Sequence, residues 1–152
     1  MDIIKILLKE LNDTELLSLQ EEEQSCTIGN ESYQIIDRSG ALESNGFVVL
    51  NYVTVKLEGH MKFEERFLNR PRKIENEIGF RAIRVMRLMN GNTYVILFQW
   101  DSKNSFRNWQ NSTAYSHAHK HRGTKNGIDQ EEGVLKGKPY HRIYHVSENE
   151  KN

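Results

Sequence analysis

The stretch FRAIRVMRLMNGNTYVILFQW, residues 80–100, constrains the fold most. Two apolar, β-branched runs are joined through Asn90-Gly91, a pair that tolerates the left-handed backbone a tight hairpin needs. A hairpin this apolar must lie in the middle of something larger. The flanking segments say what.

FVVLNYVTV (47–55) is β-branched and aromatic, hence a strand. Phe63, Phe67, Arg70 and Ile74 then recur at helical spacing, with Pro71 breaking or kinking that helix and Gly79 ending the segment. DSKNSFRNWQNSTAYSHAHKHR (101–122) reads as helical, with Asp101 and Ser112 as N-caps, and YHRIYHV is a last strand. The order over 47–146 is β-α-β-β-α-β, an α+β, ferredoxin-like arrangement with helices on one face of an antiparallel sheet. The connection 123–138 carries Gly123, Gly127, Gly133 and Gly137 and is longer than most; it could be a mobile cover or a plain surface segment.

Ahead of this lies a different pattern. Residues 3, 4, 7, 8 and 11 are apolar at the spacing of one helical face. NDTELLSLQ turns into a short strand, EEEQS reads as a solvated charge run, and YQIID gives another extended piece. RSGALESNG (38–46) has linker composition, which divides the chain into an N-terminal α/β extension, 1–45, and a main domain, 46–152.

Charge and cysteine content narrow the function classes. With 21 basic and 21 acidic residues, no basic field attracts nucleic acid or anionic lipid. Cys26 is single, with no intramolecular partner and no CxxC spacing, which fits a reducing, cytoplasmic compartment. The opening MDIIKILLKEL lacks a basic leader and a small-residue cleavage site, and no apolar run approaches the ~20 residues that span a bilayer.

SHAHKHRG (116–123) packs three histidines into five positions. If Ser112 caps a further helix, Tyr115, Ala118, His119 and Arg122 share one face, while His117 and His121 point the other way. His117 and His121 are at i and i+4, a metal-chelating spacing, yet no further ligand stands nearby, so solvated surface histidines are the plainer reading. His119 is either a core imidazole bonded to a carbonyl or a ligand to something bound. Two other positions are anomalous. Strand alternation puts Phe47, Val49, Asn51, Val53 and Val55 on one face, and Asn51 is its sole polar member. A buried carboxamide costs about 1–3 kcal/mol unless bonded, by a neighbouring strand or by a ligand. Trp109 lies one helical step past Phe106, as core or as a pocket wall. Trp100, alternating with Tyr94, Ile96 and Phe98, belongs to the core.

Taken together, VLNYVTV, FEERFLNRPRKIENEIGFRAIRVMRL and TYVILFQWDSKNSFRNWQNSTAYSHAHKHRGTKNGID resemble the heme-degrading monooxygenases of the antibiotic-biosynthesis-monooxygenase superfamily, which belong among the dimeric α/β barrels. The resemblance is nearest to the HmoB type, with the IsdG type more distant, and covers about residues 47–146. It implies that His119 ligates heme iron, that Trp109 presses on the macrocycle, and that Asn51 faces the opposite side. Arg122, on the same helix face as His119, is a candidate contact for a propionate. Heme would be cofactor and substrate at once. The expected reaction opens the porphyrin with O2 and electrons from an external donor, a reductase or a small-molecule reductant, and releases iron. No dinucleotide fingerprint follows a strand, so no tightly bound flavin or nicotinamide is expected.

Two other functions fit the same residues. One is a cofactor-independent monooxygenase acting on a quinone or polyphenol, with His119 and Asn51 moving a proton and holding an oxyanion. The other is a non-enzymatic heme-binding or signalling relative. Shorter relatives pair two sheets into a dimer-wide barrel; residues 1–45 could cover that face within one chain, which favours a monomer.

Overall fold

The structure is a computed structural model and describes residues 3–10, 16–112 and 139–147. Its strands are β1 (Ile4–Glu10), β2 (Leu16–Glu21), β3 (Ser25–Ile28), β4 (Glu31–Gly40), β5 (Phe47–Thr54), β6 (Phe80–Leu88), β7 (Thr93–Trp100) and β8 (Tyr140–Ser147). Two short helices, α1 (His60–Leu68) and α2 (Lys103–Gln110), follow β5 and β7. All neighbouring strands are antiparallel, and they close a barrel in the order β1-β2-β3-β4-β6-β7-β5-β8.

The hairpin is where the sequence puts it: Asn90 takes φ 65 in the turn between β6 and β7. From Phe47 the described elements run strand, helix, strand, strand, helix, strand. The sheet they build is not a separate four-stranded layer, however. β6 continues into β4 on one side and β8 into β1 on the other, so the expected βαββαβ sheet with a small α/β extension becomes an eight-stranded barrel with two helices outside.

The first expected helix is a correction. Residues 4–10 form a strand that pairs with both β2 and β8, and Ile6 and Leu8 alternate into the barrel. The apolar run suits either period, and two flanking strands offering backbone partners decide for the strand. The charge run is partly corrected too, since Glu22 and Glu23 are exposed while Glu21 is only 2% exposed. Residues 38–40, expected in the linker, complete β4, and Leu42 is buried. The cap of α2 is Ser102 rather than Asp101: Ser102 Oγ accepts from the Ser105 amide at 3.2 Å, while Asp101 Oδ1 accepts from Ser105 Oγ at 2.5 Å. Ser102 has the extended backbone that a cap requires.

Alternation then assigns two cores. Val48, Leu50, Ala82, Met86, Val95, Leu97, Tyr144 and Val146 point inward and meet Ile6, Leu8, Leu19, Cys26, Ile28 and Tyr33. On the outside, α1 lays Phe63 over Ile83, Val85, Tyr94 and Ile96, and α2 lays Phe106 and Trp109 over Phe47, Val49 and Trp100. Trp100 is fully buried, as its alternation requires.

One end of the barrel is polar and fully knitted. The Glu21 carboxylate receives Arg84 Nε, and Arg38 Nε at 3.3 Å. Arg84 Nη1 donates to the carbonyls of Ser39 and Ile83, both at 2.9 Å, and Nη2 to that of Gly40 at 3.0 Å. Gln99 Nε2 donates to the carbonyls of Glu43 at 2.9 Å and Asn45 at 3.0 Å, and its Oε1 accepts the Glu43 amide at 2.8 Å. These bonds tie β2 and the 38–46 connection onto β6 and β7, so every buried charge there has partners.

Candidate functional site: the outer face of the barrel around Asn51

Among the described residues, α1 and α2 do not cover the outer face uniformly. One row of register partners crosses it: Val85 on β6, Ile96 on β7, Asn51 on β5 and His141 on β8. Val85 is 0% and Ile96 3% exposed beneath α1, Asn51 is half-buried, and His141 is exposed. The parallel row Phe98, Val49, Ile143 runs beside it, with Phe98 and Ile143 half-buried. Val53 completes a patch that is apolar except for Asn51 and His141.

Asn51 therefore sits on the face that alternation assigns it. A bond from a neighbouring strand does not explain it, because the carboxamide makes no hydrogen bond to a described residue. Trp109 is 8% exposed and contacts Trp100 at 5.5 Å, Phe98 at 6.2 Å and Phe106 at 6.3 Å between ring centroids. Phe98 is the diagonal neighbour of Asn51 across β5 and β7, so one half-buried ring links the carboxamide to the indole. The structure thus brings Asn51 and Trp109 to one patch. His119, Arg122, His117, His121, the helix capped by Ser112 and the connection 123–138 lie outside the described residues.

The next patch is closed by charge. Tyr94 OH and Arg87 Nη1, the latter at 2.6 Å, both donate to Glu64 on α1, and burial raises the Tyr94 phenol above its ordinary value. His60 Nε2 is 3.1 Å from the Val55 carbonyl. These bonds fasten α1 to the sheet. A shallow depression of about 750 Å3 beside them is lined by Gln34, His60, Arg87 and the β6–β7 turn, and includes neither Asn51 nor Trp109. Among the described residues no three His, Cys, Asp or Glu side chains cluster to hold a metal ion.

Sequence reasoning missed Phe98 as the link and His141 as a member of the row. His141 stands out only once the register of β5 and β8 is known.

An antiparallel eight-stranded barrel with two outer helices is a fold already populated by known proteins. The family model for antibiotic biosynthesis monooxygenases matches residues 46–121, and the chain belongs to that family. A signal transduction protein TRAP of Staphylococcus epidermidis is 23% identical over 105 residues, 69% of this chain and 63% of its own length. A heme-degrading monooxygenase of Bacillus mycoides is 37% identical over 71 residues, 45% of this chain and 64% of its own. These matches span less than two thirds of either relative. The crystal structure of a heme-degrading enzyme from Listeria monocytogenes shares the fold, with a TM-score of 0.66 at 23% identity, over 94% of this chain and 84% of that one. That overlay reaches well beyond the family match, into β1–β4. No described helix is long and apolar enough to cross a membrane.

Proposed function

We propose that the protein is a heme-degrading monooxygenase, with heme lying on the outer face between Asn51 and His119. The observation that carries this reading is a carboxamide with no hydrogen bond to a described residue, on an otherwise apolar, half-buried patch beside a buried indole. A macrocycle needs such a surface: flat, apolar and dry, with one polar group where a bound oxygen would sit. Family membership and the heme-degrading relative support the same chemistry.

The residues divide the work. Asn51 would donate a hydrogen bond above the open side of the heme, and it does not readily give up a proton. Trp109, held by Trp100, Phe106 and Phe98, is a rigid flank that presses one side of the macrocycle. His119 would hold the heme iron, and Arg122 would pair with a propionate. Heme supplies the oxygen-activating iron and the carbon that is oxidised. Electrons come from outside, and O2 is the oxidant.

Hemin titration tests this. Wild type develops a Soret band that His119→Ala abolishes, and ascorbate with O2 then bleaches the band while a ferrous chelator collects iron. Uptake without bleaching favours the second reading, a non-enzymatic heme-binding or signalling relative, which the resemblance to TRAP supports.

A further inference from the structure

His141 is the unexplained member of the Asn51 row. It is the direct register partner of Asn51 across β5 and β8. Its outward orientation follows from its strand: Tyr144 and Val146 point into the barrel, Ile143 packs with the α2 cluster, and the His145 ring lies 5.4 Å from Phe47 on the outer face. Directly opposed residues of an antiparallel pair hold their β-carbons about 5 Å apart, so two polar ends can converge on one atom above the sheet. Like Asn51, His141 makes no hydrogen bond or ion pair with a described residue. The other exposed imidazole of the strand, His145, is already packed against a ring.

We infer that His141 is a second polar contact on the Asn51 side of the bound heme, donating a hydrogen bond to the ligand that occupies the iron there. This rests on the reading above and extends it. The carboxamide orients that ligand. The imidazole adds a second donor. An exposed histidine has no packing reason to sit opposite an asparagine that bonds to no described residue; a shared ligand supplies one.

Cyanide binding to the ferric complex reads this without turnover. His141→Phe keeps a ring of similar size and removes both nitrogens, so the cyanide dissociation constant rises about tenfold, the loss of one hydrogen bond to a charged group. His141→Gln keeps a donor and restores most of that affinity, and His145→Phe on the same strand leaves it unchanged. Independently, gallium protoporphyrin shifts the His141 ring resonances of the wild type through its ring current.

A protein that takes up no hemin overturns both this inference and the proposed function. Hemin uptake with equal cyanide affinity in wild type and His141→Phe overturns this inference alone. So does a His141 resonance that gallium protoporphyrin leaves unmoved, or a loss in His141→Phe confined to hemin affinity, which would place the imidazole at the macrocycle edge.

Discussion

Asn51 occupies a position where packing alone would select an aliphatic side chain. Replacing it with Leu removes an amide that makes no hydrogen bond to a described residue, so stability stays level or rises by up to about 1 kcal/mol. Hemin turnover falls in the same variant. Thermal melting and Soret bleaching measure the two sides, and a variant losing both would make Asn51 structural. Asn51 stands out in the sequence because period 2 makes it the one polar residue on an apolar face, whereas Trp109 continues the Phe106 stripe of α2 and stands out only by its size. His141 breaks no pattern, and only its register partner gives it meaning. Cys26 offers a residue-scale test of the interior. Burial, aided by the Glu21 carboxylate, pushes its thiol from 9.0 up to about 12, and burial first, then Glu31, pushes the Tyr33 phenol from 10.0 up to about 12. Both groups hold their protons more tightly folded than unfolded. Their contribution to stability is whole below about pH 9 and drains away as pH rises toward 12. A native thiol that reacts promptly with a disulfide reagent at pH 8 would contradict this placement of Cys26.

The elements were legible to unequal degrees. β5, β6, β7 and β8 announce themselves by alternation and by the Asn90-Gly91 turn, and α2 by its apolar stripe. β1 was misread because IIKILL satisfies helix and strand periods alike, and the deciding term, backbone pairing to β2 and β8, is non-local. Glu21 was misread because its neighbours Glu22 and Glu23 are exposed, while its partner Arg84 is distant in sequence. That pair is 2% exposed on both sides, which makes it sensitive to single changes. Glu21→Leu strands a buried guanidinium and destabilises by about 3 kcal/mol, whereas Glu21→Leu combined with Arg84→Met costs much less. Denaturant melts of the two singles and the double supply the coupling; additive losses would mean the pair is not coupled. Gly40 closes the same region at φ 76, where a β-carbon would overlap the Arg81 carbonyl. Gly40→Ala is strained by conformation and by contact, and its melting temperature drops accordingly.

At the scale of the whole molecule, closure of the barrel decides how the chain meets other copies of itself. Every strand has two neighbours: β1 joins β2 to β8, and β4 joins β3 to β6. A sheet without edges has no backbone donors left over for a second chain. The face that a partner sheet would cover in a dimer-wide barrel already holds Ile6, Leu8, Leu19, Cys26 and Ile28. The expected state is a monomer at micromolar concentration, read by sedimentation. The same logic predicts how to break it. Removing residues 1–10 frees one edge of β2 and one of β8 and uncovers the inner ends of Leu19, Tyr144 and Val146. The truncated chain should recover the lost pairing from its own kind, as dimers or larger species, while the intact chain does not. A truncated chain that stays monomeric and keeps its melting temperature would mean that β1 adds little to the closure.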